Sequence, residues 1–161
     1  MRRIWIVATL LLGTCVGVSA QDCKGAIEGL RNSWLRAWNA KQLGDVMKLY
    51  AEDATLLTAD GQLYVGRDKI RDYFKTQIGS VSDVSVMSAG VICSTDTGYD
   101  TGKYSQKVSK GGSTMLPGST TMGGTTALAG PTTADKGNYS VTLRQESGKW
   151  QVVQHANVRS K

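Results

Sequence analysis

The chain has one histidine, His155, and only three cysteines in 161 residues, with no Cys-x-x-Cys motif. A zinc site draws on a cluster of such ligands, so no metal centre is expected. Nowhere do lysines and arginines form a run interleaved with aromatics, which removes the footprint of a nucleic-acid binder. No Ser, His and Asp fall at the spacing of a hydrolase triad. No glycine-rich turn joins a strand to a helix as a phosphate loop does. Gly111-Gly112 and Gly123-Gly124 lie in low-complexity sequence, and so do both prolines, Pro117 and Pro131.

What is present begins with a targeting pattern. Arg2 and Arg3 precede an apolar run from Ile4 to Leu12, and Val18-Ser19-Ala20 offers a small-residue cleavage site. A secretory signal peptide over residues 1–20 has this form, and the run is too short to span a bilayer. A lipoprotein reading through Leu12-Gly13-Thr14-Cys15 competes with it, although Thr14 is a poor neighbour for a lipidated cysteine. The expectation is one secreted or periplasmic domain, residues 21–161, with no membrane association once the signal is removed. It keeps 17 basic and 13 acidic side chains, a net charge of +4 spread along the chain. Cys23 and Cys93 remain as an even pair in an oxidising compartment. A bridge across so long a loop would contribute about 3–4 kcal/mol. Two separate thiols are the other reading.

Ile27, Leu30, Trp34 and Trp38 recur at three and four residues, which predicts an amphipathic helix over 24–40, with Arg31, Arg36 and Lys41 off its stripe. Leu43, Val46, Met47 and Tyr50 share the face of a second helix that stops near Ala51-Glu52-Asp53. Residues 54–58 read as a strand, Asp60-Gly61 as a hairpin turn, and 63–65 as the returning strand. Gly66 and Asp68 open a third helix carrying Ile70, Tyr73, Phe74 and Ile78. Strands follow over 84–93, 99–108 (with a bulge or kink at Thr101-Gly102) and from Tyr139. Ser147-Gly148 turns into a last strand, 150–158. Between them, 17 of the 29 residues from Ser109 to Gly137 are Gly, Thr or Ser. Such a segment cannot bury enough apolar surface to offset its ordering entropy. It reads as a long loop, either disordered or a lid that contacts a pocket through Met115, Leu116, Met122 and Leu128.

The joints of this pattern are Trp34-x-x-x-Trp38-Asn39-Ala40, Asp45-x-x-x-Leu49-Tyr50-x-x-Asp53-Ala54-Thr55, Asp60-Gly61, Gly66-x-x-x-Ile70-x-x-Tyr73-Phe74 and Gly148-Lys149-Trp150-x-Val152. In order and spacing they resemble the nuclear transport factor 2-like superfamily, which includes ketosteroid isomerase, scytalone dehydratase and SnoaL-like cyclases. The resemblance spans residues 24–157. It implies an α+β, cone-shaped fold of three N-terminal helices packed on a curved antiparallel sheet. A pocket would lie between the first helix, the third helix and the concave sheet face, with small residues at Gly90, Gly98 and Gly102 leaving space. It also implies a homodimer formed through the sheet.

Ketosteroid isomerase chemistry does not carry over. Where that enzyme keeps its carboxylate base, this chain has Thr58, and where it keeps an oxyanion tyrosine, this chain has Trp34. Asp60 is explained by its turn and Asp53 by local backbone bonding. The catalytic candidate is His155, since a neutral imidazole in an apolar pocket can act as a general base. Strict alternation puts it on a face with Val153 and Asn157, opposite Trp150, Val152 and Ala156. Trp34, Trp38, Tyr50, Phe74, Tyr104 and Asn157 are the ligand-binding candidates. The helical aromatics form the closed side of the cone, and any chemistry lies at His155 and Asn157. The leading expectation is an exported domain that binds a small apolar or amphipathic molecule without a cofactor. The alternatives are a cofactor-free isomerase, dehydratase or cyclase of a small hydrophobic substrate, and a homodimeric protein-association domain.

Overall fold

The computed structural model describes residues 20–109 and 131–160. The signal peptide read over 1–20 and residues 110–130 of the Gly/Thr-rich stretch lie, Ala20 apart, outside the described residues. Helix α1 (Ala20–Asn39) is followed by α2 (Leu43–Met47), β1 (Tyr50–Leu57), β2 (Leu63–Val65) and α3 (Arg67–Gln77). Four long strands complete the chain: β3 (Val81–Cys93), β4 (Thr97–Ser109), β5 (Thr132–Glu146) and β6 (Lys149–Arg159).

The apolar stripe of α1 docks it on the sheet, with Cys23, Ile27 and Trp38 buried and Leu30 and Trp34 partly so. The helix closes where Lys41 turns left-handed (φ 59°): Gln42 N–H donates to the Ala37 carbonyl and Lys41 N–H to that of Trp38, at 2.8 and 2.9 Å. This pairing satisfies two carbonyls of the last turn. Tyr50 does not extend α2, as its spacing suggested, but opens β1. The strand partner overrides the helical period, because Tyr50 pairs with Val152 and Val152 N–H donates to the Leu49 carbonyl (2.8 Å).

The sheet runs β2-β1-β6-β5-β4-β3. It is antiparallel, as expected, except between β1 and β6, which are parallel. With β2 and β3 at opposite edges, α3 must cross the sheet to join them, and it covers the concave face with Ile70 and Phe74. The loop read over 109–137 is shorter than its composition implied. Residues 132–137 are strand, with Ser109 paired to Thr132 and Tyr104 to Gly137. A ladder satisfies backbone groups whatever the side chains, so small polar residues are held here by the β4 edge.

Bulges bend the sheet. Ala89 is an extra residue on β3 opposite Thr101-Gly102, the site where a kink was expected. The glycines, however, do not leave room. A Cβ on Gly98 would lie 2.3 Å from Ile27 Cδ1, and one on Gly102 would lie 2.1 Å from the Met87 carbonyl oxygen. Both permit close approach, while Gly90 faces open space. Cys23 and Cys93 form a disulfide with Cα atoms 6.4 Å apart, tying the start of α1 to the end of β3.

Candidate functional site

A cavity of about 280 Å³ lies between α1, α3 and the concave face of the sheet. Trp34, Trp38 and Phe74 reach it from the helices, Tyr50 from β1, Tyr104 from β4, Tyr139 from β5, and His155 and Asn157 from β6. Every ligand-binding candidate read from the sequence therefore lines one space. Asp60 and Arg159, both exposed, stand at its rim. Trp34 and Trp38 stack with ring centres 5.0 Å apart, and Phe74 meets Trp38 edge-on at 5.0 Å.

His155 faces this cavity for a reason that strict alternation hides. Thr142 pairs with Gln154 and Leu143 with Val152, so Val153 is an extra residue, a β-bulge. The phase of β6 shifts by one there. His155 consequently shares the inner face with Val152, which reverses the expected assignment.

Four side chains form one hydrogen-bonded line. Trp34 Nε1 donates to the Tyr50 hydroxyl (3.1 Å), which lies 2.7 Å from His155 Nδ1, and His155 Nε2 lies 3.2 Å from Asn157 Oδ1. An indole N–H can only donate. Tyr50 therefore accepts from Trp34. The Asn157 amide oxygen can only accept as well, so a neutral ring bonded to it carries its proton on Nε2 and takes the Tyr50 proton at Nδ1. Burial pushes the pKa of His155 down to about 4, against the upward pull of its Asn157 hydrogen bond, so the ring is neutral at pH 7. Burial likewise holds the Tyr50 phenol far above its usual range, against the downward pull of the Trp34 bond. The helical aromatics and the end of the chain are thus one site, not scaffold and site apart.

A second polar group was not anticipated. Asp100 is 3% exposed and accepts from Arg31 Nη1 (2.8 Å), Ser88 Oγ (2.7 Å) and the Tyr139 hydroxyl (3.2 and 3.3 Å to its two oxygens). Two signals pointed to it. Stepping back by twos from Tyr104 reaches Asp100, and Arg31 stands four residues after Ile27 and three before Trp34. Arg31 is therefore on the stripe of α1 rather than off it. Burial would lower the Arg31 pKa, but the hydrogen bond and charge of Asp100 raise it.

The remaining candidates are committed to the fold. The Thr58 hydroxyl donates to Asp60 and accepts from Gln62 N–H (3.0 Å) within the hairpin, and its donation holds the Asp60 carboxyl below its ordinary range. Asp53 is held by both terminal nitrogens of Arg144 at 3.0 and 3.1 Å, away from the cavity. At the rim, Asp135 accepts from Gln106 Nε2 (2.9 Å) and Arg159 Nε (3.0 Å). Among the described residues no group of three His, Cys, Asp or Glu side chains could hold a metal ion.

Residues 32–150 match the model of the SnoaL-like domain family. This chain belongs to that family. No curated protein matches the sequence. Solved structures place the SnoaL-like domain in the nuclear transport factor 2-like fold. It is similar to a ketosteroid isomerase-like protein from Erwinia carotovora atroseptica, with a TM-score of 0.65, 18% identity, and 85% of this chain and 95% of that one covered. A nuclear transport factor 2-like protein of unknown function from Shewanella oneidensis gives 0.62 at 15% identity, covering 84% and 98%. A proposed dehydratase of the same fold from Streptomyces avermitilis gives 0.69 at 8% identity, covering 88% and 99%. At such identities the likeness is one of fold.

Proposed function

We propose that this SnoaL-like domain is an exported binding module that holds a small, largely apolar molecule in its cavity. One observation carries the reading. The space is walled by aromatic and aliphatic side chains, and each group in it that could take a proton already has a partner. His155 Nδ1 accepts from Tyr50, and Asp100 accepts from three donors. A general base needs a free lone pair within reach of its substrate. A binding site needs only an apolar wall and a few placed polar groups. Export is supported by the N-terminal pattern and agrees with the disulfide.

The cofactor-free isomerase, dehydratase or cyclase is the second reading, favoured by a neutral His155 lining the cavity beside Asn157. In it a substrate displaces Asn157 to reach the ring. Pairing of two copies through the sheet is part of the proposal too. Met87 and Ile92 on edge strand β3, and Leu63 and Val65 on edge strand β2, are exposed apolar side chains that a second copy could cover.

Native mass spectrometry of the protein purified from its own host tests the binding reading. A retained small molecule in a dimer is the expected result, and an empty monomer would count against it. An assayed activity abolished by His155→Ala in a folded protein would favour the enzyme instead.

A further inference from the structure

We propose that the cavity takes a cationic amphiphile, with its ammonium group at the rim beside Asp60 and its apolar body among the aromatics inside. The inference rests on the binding reading above and adds the charge of the ligand. Among the described residues, the charged side chains that line the cavity are two arginines and three aspartates. Two pairs cancel: Arg31 is held by Asp100, and Arg159 by Asp135. Asp60 is left over, since among the described residues it bonds to Thr58 but forms no ion pair. The Thr58 hydroxyl holds its carboxyl below the ordinary range, so the charge is present at pH 7. His155 is neutral there. One space in an otherwise basic chain is therefore negative.

The neighbours of Asp60 suit a donor. Tyr73 and Tyr104 line the same space. Burial raises both phenols, and after burial the next cause is a carboxylate at the rim, Asp60 for Tyr73 and Asp135 for Tyr104. Both rings thus lie within reach of these acids, and the face of an aromatic ring attracts a cation. Gln77 gives its NH₂ to Thr76 Oγ1 (3.1 Å) and Gln106 gives its own to Asp135 (2.9 Å), which leaves both amide oxygens to accept. An ammonium group brings donors and no acceptor. A carboxylate ligand would find Arg159 already held by Asp135 and Asp60 repelling it. Deeper in, the wall is aromatic and aliphatic, so the charged head belongs at the rim and the apolar body inside.

Three probes that share one body test this: 4-phenylbutylamine, 4-phenylbutanol and 4-phenylbutyrate, titrated against the protein by tryptophan fluorescence at pH 7. The amine should bind about 3- to 30-fold more tightly than the alcohol, the range that one exposed ion pair and one cation–π contact supply. The carboxylate should bind more weakly than the alcohol, and added salt should narrow the gap between the two charged probes. Asp60→Asn should bring the amine down to the alcohol, and the hairpin is kept because Asn-Gly suits the same turn. Asp53→Asn removes an equal charge away from the cavity and should keep the order of the three. An amine no tighter than the alcohol, or an equal loss of amine affinity in both variants, overturns the inference while leaving the binding reading intact. Binding of none of the three removes both.

Discussion

Lowering the pH should unload stability through His155, in a window that no other shifted group occupies. The ring is buried, and its pKa is near 4 in the fold against 6.5 for a free imidazole. Between those values the unfolded chain holds a proton that the folded chain refuses. Stability is therefore full above about pH 6.5, falls as the pH drops, and levels off below about pH 4. Linkage gives a loss of about 1.4 kcal/mol by about pH 5.5 and about 2.5 kcal/mol by about pH 4.5. Asp53, Asp60 and Asp83 have carboxyl pKa values held below 3.8, chiefly by hydrogen bonds from Arg144, Thr58 and Lys107. Their stabilising contributions start to fade only as the pH approaches their unfolded values and are lost through their lower folded ones, beneath most of the histidine window. Urea unfolding followed by tryptophan fluorescence at a series of pH values measures the loss, and His155→Gln isolates it. The stability difference between wild type and variant should shrink as the pH falls from about 7 to 4.5. Parallel curves would mean that His155 is charged or hydrated in the folded state. The donor order from Trp34 to Asn157 would then fail as well.

Removing one partner of the Arg31–Asp100 pair strands a buried charge, so Arg31→Met should cost about 3–5 kcal/mol in urea unfolding, and adding Asp100→Leu should recover most of it. Trp34→Phe should cost about 1 kcal/mol more than Trp38→Phe, because the first breaks a bond to Tyr50 while the Trp38 N–H is buried without a partner among the described residues. Gly102→Ala should lie at or beyond the upper end of the roughly 1–3 kcal/mol that overpacking costs, and Gly98→Ala near the lower end. The first meets the rigid Met87 carbonyl, the second the movable tip of Ile27, and thermal melts of the two variants would rank them. Loss of the Cys23–Cys93 bridge, which spans 70 residues, should lower stability by about 4 kcal/mol in Cys23→Ala/Cys93→Ala compared with the oxidised protein.

Much of the fold was legible because its signals are local. The three- and four-residue stripe of Ile27, Trp34 and Trp38 fixes the buried face of α1, and Asp60-Gly61 fixes a hairpin. What was not legible depends on partners distant in sequence. Tyr50 fits a helical stripe and a strand start equally well, and only β6, about a hundred residues later, decides between them. The edge of β4 holds Thr132 to Gly137 as strand although their composition reads as loop. Asp100 looked like one acid among thirteen until α1 brought Arg31 against it.

The candidate site shows the same division, and a single inserted residue accounts for it. Alternation predicts the inner face of a strand only while the ladder is regular. Up to Val152 the rule holds on β6, with Trp150 and Val152 buried. The bulge at Val153 shifts the phase, and from there the inner face is His155, Asn157 and Arg159. The resemblance read from the sequence sets Thr58 and Trp34 against the base and oxyanion donor of ketosteroid isomerase. Trp34 instead starts a hydrogen-bonded line through Tyr50 and His155 that ends on β6. The scaffold is thus shared with many relatives, while the polar face that His155 and Asn157 give the cavity follows from one extra residue. Fold likeness alone is a poor guide to the ligand for this reason.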